Sequence, residues 1–501
     1  MIPGKKISLV LLIVAVALSR WEFRSHDLYD LDSVNFALAM QRFDPRVHQP
    51  HPPGYFLYIA AGRLLNGVFH DANLALVVLS ILASCGVVIV IYSIASEWFG
   101  LMAARFAGIL FLFSPLAWFH GIVALTYIVE AFFSALIGYL CWRILSGREG
   151  FVIPAAIALG LSAGIRPSSL LFLAPLFLFS LRKAALTQRF LGLAALAATL
   201  TAWSVPMIVA SGGLRAYFEA LTFLWQSVPS KTTVFNSSPV TSIARALTIV
   251  LIFLLCFGAA SIVPLIPLFR AVPVDRRKRN FTIVWILPAL CFFTFGYLKF
   301  VNSGYLLLLI PPVSLWLGLW LSEWYEKSAS ARPIKLAVLA SSALLNTFIF
   351  LAAPFYCSYR QVRRFEANLD SIRTAIPRLT SPDDTLILSV DSHFNGFRHA
   401  GYYLPGYLTI EYPEVKLDEG PRIFTMRQRD TQLLATLPVA SFRRFIIFPL
   451  PDGGTYREYL QKLTARIPSQ NLHRSNFNGQ EYITSSTSDL PLLFPDAISP
   501  P

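Results

Sequence analysis

The chain is short of charge. Only 14% of its 501 residues are Asp, Glu, Lys or Arg, while 55% are hydrophobic and 40 are Phe. So little charge cannot coat a soluble globule, and the apolar residues fall in long runs, so the composition reads as an integral membrane protein. Cysteine is scarce as well. The five (Cys85, Cys141, Cys256, Cys291, Cys357) are scattered in or at the ends of apolar runs, and no CxxC spacing occurs. That excludes a disulfide framework and a cysteine metal site, and neither a cofactor nor a divalent metal is indicated. Acid is scarcer than base, with 28 Asp and Glu against 42 Lys and Arg, a net charge of +14. No basic patch interleaved with aromatics occurs, so no nucleic-acid partner is expected. The basic residues instead occupy short loops between apolar runs, the bias of cytoplasmic loops. No internal repeat is visible.

What is present is a series of apolar runs of about 20 residues, the length of a membrane span. They lie near 7–19, 72–95, 101–119, 121–142, 190–210, 242–269, 281–298, 304–322 and 335–357. Residues 1–19, with Lys5 and Lys6 ahead of the apolar run, read as a signal peptide or an uncleaved first span, the latter favoured because more spans follow. The stretch 151–181 is interrupted by Gly164-Ile165-Arg166-Pro167-Ser168. Charge parity treats it as two short helices meeting near Arg166. Only then do Lys5, Lys6, Arg143, Arg148, Arg182, Lys183, Arg189, the run RAVPVDRRKRN at 270–280, Lys327, Arg332 and Lys335 share the cytoplasmic side. The fold class expected is therefore a polytopic α-helical membrane protein of about eleven spans, with its N-terminus inside and a small C-terminal α/β domain on the outer face. Residues 1–357 form the transmembrane domain and 358–501 the extracytoplasmic one.

The tail holds 16 Lys and Arg and 15 Asp and Glu, against 26 and 13 in the preceding 357 residues. Dense, balanced charge marks a water-facing domain. Helices are expected at 364–378 and 455–467, with strands at 385–390 and 445–450. His393 and His399 flank an aromatic turn and read as surface or packing residues. The other polar stretch is the first outer loop, 20–71, with Asp27, Asp30, Asp32, Asp44, His48 and His51 ahead of Pro52-Pro53-Gly54-Tyr55. Segments 33–42 and 55–65 read as short helices.

Four positions stand out chemically. Asp32 opens an amphipathic segment at the outer surface, where it is a functional acid, a helix cap or a solvated group. Asp27, Asp30 and Asp44 have only solvation to explain them. Glu130 lies about nine residues into a span, roughly 13 Å deep. An intramembrane acid is either functional or paired with Arg or Tyr. His120 and Tyr127 share its segment, and Tyr127 and Glu130 are three apart on one face. Arg166 in the helix break suits a phosphate, or pairs with Glu130. Lys299 ends a span on the outer side and suits the same anion, or snorkels to the interface.

DSVNFALA followed by HPPGYFLYIAAGRLL resembles the first-loop signature of GT-C class membrane glycosyltransferases, in particular protein O-mannosyltransferase relatives. FLFSPLAWFHGIVALTYIVEAFF, GLSAGIRPSSLLFLAPL and KFVNSGYLLLLIPP resemble later segments of that class, so the likeness spans about 25–320. It implies that Asp32 is the general base at the acceptor. It implies acceptor or donor contacts for His51, Tyr55, His120, Tyr127 and Glu130, and lipid-phosphate contacts for Arg166 and Lys299. Many relatives carry the second acid a few residues before Glu130, where this chain has Thr126-Tyr127. The expected activity is transfer of a sugar, a hexose such as mannose, from a polyprenyl phosphate to a hydroxyl of a protein, glycan or lipid acceptor. The transfer would occur with inversion on the extracytoplasmic side of a bacterial inner membrane. The competing class is a multi-pass transporter or lipid flippase. One break, one long loop and a lopsided tail speak against the matched halves a transporter favours.

Overall fold

The computed structural model describes residues 3–227, 238–258, 261, 275–295, 300–327, 330–354, 357–390, 392, 394–412, 423–434, 437, 439, 441–449 and 453–494. They form two compact units. One holds Met1–Ser25 with Tyr55–Gln361, the other His26–Gly54 with Val362–Pro501. The segment 26–54 thus groups with the C-terminal residues rather than with the helices that flank it in the chain.

The first unit is helical. Among the described residues, six of its helices are long and apolar enough to cross a membrane: Ala72–Trp98, Tyr127–Leu145, Leu186–Ala210, Val240–Phe257, Asn302–Glu326 and Arg332–Ala352. Pro3–Glu22, Phe56–Phe69, Leu101–Leu112, Val152–Ile165, Ser168–Leu181 and Arg276–Phe295 accompany them. The apolar run 101–119 is broken, because Ser114 caps a new short helix, Pro115–His120, with Pro115 in its first turn. The next helix begins only at Tyr127, so Glu130 lies in a first turn rather than deep within a span. Of the run 242–269, the described helix ends at Phe257, and residues 259, 260 and 262–269 lie outside the described residues.

Small residues let these helices close on one another. A Cβ on Gly138 would stand 2.2 Å from the Trp285 ring, and one on Gly318 would meet the Ala103 carbonyl at 2.6 Å. Such close approach replaces the hydrophobic drive that lipid does not supply. The buried Trp285 Nε1 donates to Ser134 Oγ at 3.0 Å, and Ser134 donates to the Leu308 carbonyl at 2.8 Å. The helix Tyr127–Leu145 is thereby tied to two neighbours.

The second unit is built on a seven-stranded sheet in the order β4-β3-β2-β1-β5-β7-β6. The strands are β1 Thr385–Val390, β2 Thr409–Tyr412, β3 Ile423–Arg427, β4 Asp430–Leu434, β5 Arg444–Ile447, β6 His473–Phe477 and β7 Gln480–Ser486. β2, β1 and β5 are parallel and the rest pair antiparallel. Central β1 is buried on both faces. Leu386, Leu388 and Val390 pack with Phe445, Ile447 and Leu463, while Ile387 packs with Ile372, Ile376 and Tyr482. The helix Tyr359–Leu379 covers the second face through Ile372, Ala375 and Ile376, three to four residues apart.

Candidate active-site residues

The first cluster lies in the first unit and begins with a proline. Pro167 disfavours helical backbone in the residue before it, and Arg166 accordingly sits extended at φ −151°, ψ 107°. Val152–Ile165 ends there and Ser168–Leu181 begins. The break leaves the Arg166 side chain only 5% exposed. Its Nε lies 3.3 Å from Glu130 Oε2, and its Nη1 donates to Thr126 Oγ1 at 2.8 Å. Three tyrosine rings surround the guanidinium, Tyr305 at 4.1 Å, Tyr127 at 4.4 Å and Tyr55 at 5.8 Å. Cation–π attraction of this kind is strongest where water is excluded. Tyr55 enters its helix at φ 48°, an unusual conformation for a bulky residue and one that other contacts must sustain.

Glu130 accepts a hydrogen bond from Ser169 Oγ at 2.7 Å and a longer one from Ser168 Oγ at 3.5 Å. It lies in the first turn of its own helix, and its serine donors open Ser168–Leu181. The positive ends of two helices thus face one carboxylate. His120 completes the group. It is fully buried, its ring is 5.0 Å from that of Tyr127, and neither ring nitrogen has a hydrogen-bond partner among the described residues. A Cβ on Gly304 would meet both rings, so glycine there lets the chain lie flat against them. The structure therefore brings together Tyr55, His120, Tyr127, Glu130 and Arg166. Lys299 lies outside the described residues.

The second cluster lies in the other unit. Asp30 caps the helix Leu31–Gln41 by accepting from the Asp32 amide at 2.9 Å. Asp32 occupies the first turn and is not the cap, so its carboxylate is left for other partners. Its Oδ1 is 3.2 Å from His51 Nδ1, with the two side chains 31% and 18% exposed. The loop between them closes through paired backbone hydrogen bonds between Asp44 and Gln49. Gln49 Nε2 donates to Thr431 Oγ1 at 2.9 Å, and Arg398 reaches both Thr431 and the Val47 carbonyl.

Solvation does not explain the loop's other acids. Asp44 is buried and bound by Arg46, Asp30 is buried as a cap, and Asp27 is buried against Arg373 at 3.2 Å. Beside Asp27, the His26 amide donates to Glu366 Oε1 at 2.6 Å, and Arg363 pairs with the same carboxylate. Burial pushes both Asp27 and Glu366 above the ordinary carboxylate range, with Arg373 and Arg363 opposing it. His399 is fully buried and its Nε2 contacts the Leu28 carbonyl at 3.0 Å, a packing role, while His393 lies outside the described residues.

Sequence reasoning passed over Tyr305, Thr126, Ser168 and Ser169. All four stand within the motifs SGY, LTY and RPSS already singled out, but a ring or hydroxyl carries no signal of its own until a charge is placed beside it.

Residues 44–189 match the model of the protein O-mannosyl-transferase TMEM260 N-terminal domain. No curated protein matched the chain by sequence. Among solved structures, the chain is similar to ArnT from Cupriavidus metallidurans bound to undecaprenyl phosphate. The TM-score is 0.62 at 14% identity, over 97% of this chain and 98% of that one. The apo state of ArnT gives 0.55 at 14% identity, over 98% and 99%. An Archaeoglobus fulgidus oligosaccharyltransferase gives 0.49 at 14% identity over 87% and 67%, a likeness too distant to carry an argument. With near-complete coverage of both chains, this membrane protein has the GT-C glycosyltransferase fold, and its segment from the first loop through Arg166 to Arg189 resembles a protein O-mannosyl-transferase domain.

Proposed function

We propose that the protein is a glycosyltransferase that moves a sugar, a hexose such as mannose, from a polyprenyl phosphate to an acceptor hydroxyl, with inversion at the sugar carbon. The observation that carries this reading is Arg166. It is a buried guanidinium held in a helix break, within a fold that in ArnT accompanies undecaprenyl phosphate. Nη1 donates to Thr126, while the buried Nε, 3.3 Å from Glu130 Oε2, makes no hydrogen bond among the described residues. A guanidinium with donor capacity to spare suits a phosphate oxygen. The lipid tail stays in the bilayer, and the cation stabilises the charge that develops as phosphate leaves.

Asp32 is the base in this reading. Its carboxylate takes the acceptor's hydroxyl proton as that oxygen attacks the sugar carbon. The carbon–phosphate-oxygen bond breaks, and its electron pair leaves with the polyprenyl phosphate. A single displacement of this kind inverts the carbon and needs no covalent enzyme intermediate. His51, at 3.2 Å, orients the carboxylate, and Tyr55, His120, Tyr127 and Glu130 line donor or acceptor. Lys299 adds a second cation. The reading includes eleven crossings, 1–357 as the membrane domain, and the 20–71 loop with the tail on the extracytoplasmic face of a bacterial inner membrane. The acceptor is a protein, glycan or lipid.

The test is transfer from a panel of polyprenyl-phosphate hexoses in membranes containing wild type or Asp32→Asn. A loss of about 10²–10⁴-fold is expected for removal of a general base. Undiminished transfer by Asp32→Asn would sink the base assignment. Lipid translocation without any transfer by wild type would favour a flippase.

A further inference from the structure

One corner of the helical unit holds hydrogen-bond donors and cations in excess of acceptors. The helix Arg276–Phe295 opens with Arg276, Arg277, Lys278 and Arg279. Cations at a helix N-terminus face the positive end of its dipole, so four in one turn are unfavourable without an anion. Asp275 supplies one carboxylate, but it is used as a cap for the Arg277 amide at 2.8 Å. Lys278 is engaged, donating to the Trp98 carbonyl at 2.9 Å at the end of Ala72–Trp98. Arg276, Arg277 and Arg279 are exposed, and none has a carboxylate within ion-pair distance among the described residues.

The surroundings add donors without acceptors. Arg277 stands 5.4 Å from the Trp142 ring, and Trp142 lies 4.7 Å from Trp98. Trp98 also meets Phe99, Phe281 and Trp316. The buried Trp98 Nε1 lacks an acceptor among the described residues, as does Arg143 Nε, although Arg143 Nη1 pairs with Glu97 at 2.8 Å. These tryptophans are buried, but the helix that carries the arginines exposes Ile283, Leu287 and Leu290 three to four residues apart below them.

We propose that this corner binds the headgroup of an anionic phospholipid. The phosphodiester would accept from Arg276, Arg277 and Arg279, and the acyl chains would lie along the apolar turns beyond Phe281. The exposed apolar stripe Ile283, Leu287 and Leu290 on the same helix selects a lipid over a soluble polyanion, since only a headgroup presents its phosphate beside an apolar surface. The site is separate from the residues assigned to glycosyl transfer and does not rest on that assignment.

The test uses the full chain purified in detergent with mixed phosphatidylglycerol and phosphatidylcholine, with retained lipids counted by native mass spectrometry. Wild type is expected to retain phosphatidylglycerol preferentially, and less of it as salt rises. Near a headgroup surface each cation is worth about fivefold, so Arg276→Gln, Arg277→Gln and Arg279→Gln together lose up to about a hundredfold. The matching triple lysine variant keeps the preference, which separates charge from folding. A control with Lys462→Gln, Arg466→Gln and Arg474→Gln in the sheet unit leaves it unchanged. Three results each overturn the proposal: no headgroup preference in wild type, wild-type retention by the triple glutamine variant, or an equal loss in the control.

Discussion

The pair Glu130–Arg166 makes a quantitative prediction that does not depend on knowing the substrate. Both side chains are at most 5% exposed, and their closest atoms are 3.3 Å apart. Removing one member strands the other charge, which typically costs about 3–5 kcal/mol. Glu130→Gln leaves the guanidinium with Thr126 and three rings, and Arg166→Met leaves the carboxylate with two serines. Replacing both removes the stranded charge as well as the pair, so the double variant should lie far closer to wild type than the sum of the singles, within about 1–2 kcal/mol. The assay is thermal unfolding of detergent-purified protein, followed with a dye that reacts with exposed thiols. Cys141, Cys256 and Cys357 are buried and become reactive only on unfolding. If the single losses add in the double variant, the two groups do not act as a pair. If Glu130→Gln melts like wild type, the burial argument is wrong.

Three other predictions are independent of that one. Gly138→Leu forces the Trp285 ring away from Ser134 and should cost about 1–3 kcal/mol or more in the same unfolding assay, whereas Gly147→Ala, with open space around it, measures only the strain of its positive φ. Burial raises the folded pKa of Glu366 above its unfolded value. The folded state therefore holds the proton more tightly, so this group favours folding at low pH and loses that contribution as pH rises through the raised value. Glu366→Gln should raise the unfolding temperature at neutral pH relative to wild type, with the gap closing on acidification into the ordinary carboxylate range. A gap that widens in acid would reverse the sign and refute it. Arg20→Met should destabilise the helical unit by about 1–3 kcal/mol, because it strips the donor from the Leu112 carbonyl at 3.0 Å.

How far the sequence revealed this structure depended on the strength of the local signal. Proline and arginine in mid-membrane are costly enough that 151–181 had to break, and the helices part at Arg166 as expected. β1 was readable to the residue because Leu386-Ile387-Leu388 and Val390 make a short, mainly apolar run between turn residues. β2, β3, β4, β6 and β7 were not. β6 reads HRSNF and is largely exposed, and β4 reads DTQLL. Such short edge strands take their conformation from the neighbour they pair with, which no local pattern encodes. The acids of the first loop failed for a similar reason. Nothing in DLYDLD tells a cap from a free carboxylate, since Arg373 lies more than 300 residues along the chain from Asp27.

Buried and half-buried cations in the helical unit are therefore poor evidence of chemistry on their own, and their partners are what separate them. Arg20 donates to the last carbonyls of Leu101–Leu112. Lys278 does the same for Trp98 at the end of its helix, and Lys335 for Trp324 and Tyr325 near the end of Ile310–Glu326. All three satisfy carbonyls that a helix terminus leaves without an intrahelical donor. Closing those ends explains their positions. Arg166 closes no helix end with its side chain. It meets a carboxylate, a hydroxyl and three aromatic faces, and its buried Nε makes no hydrogen bond among the described residues. Neighbouring His120 leaves two more ring nitrogens in the same condition. Helix architecture alone would not concentrate unused polar capacity beside one buried cation, since each such group costs free energy until it is filled. That surplus, more than the charge itself, is why the proposed phosphate contact is sought at Arg166.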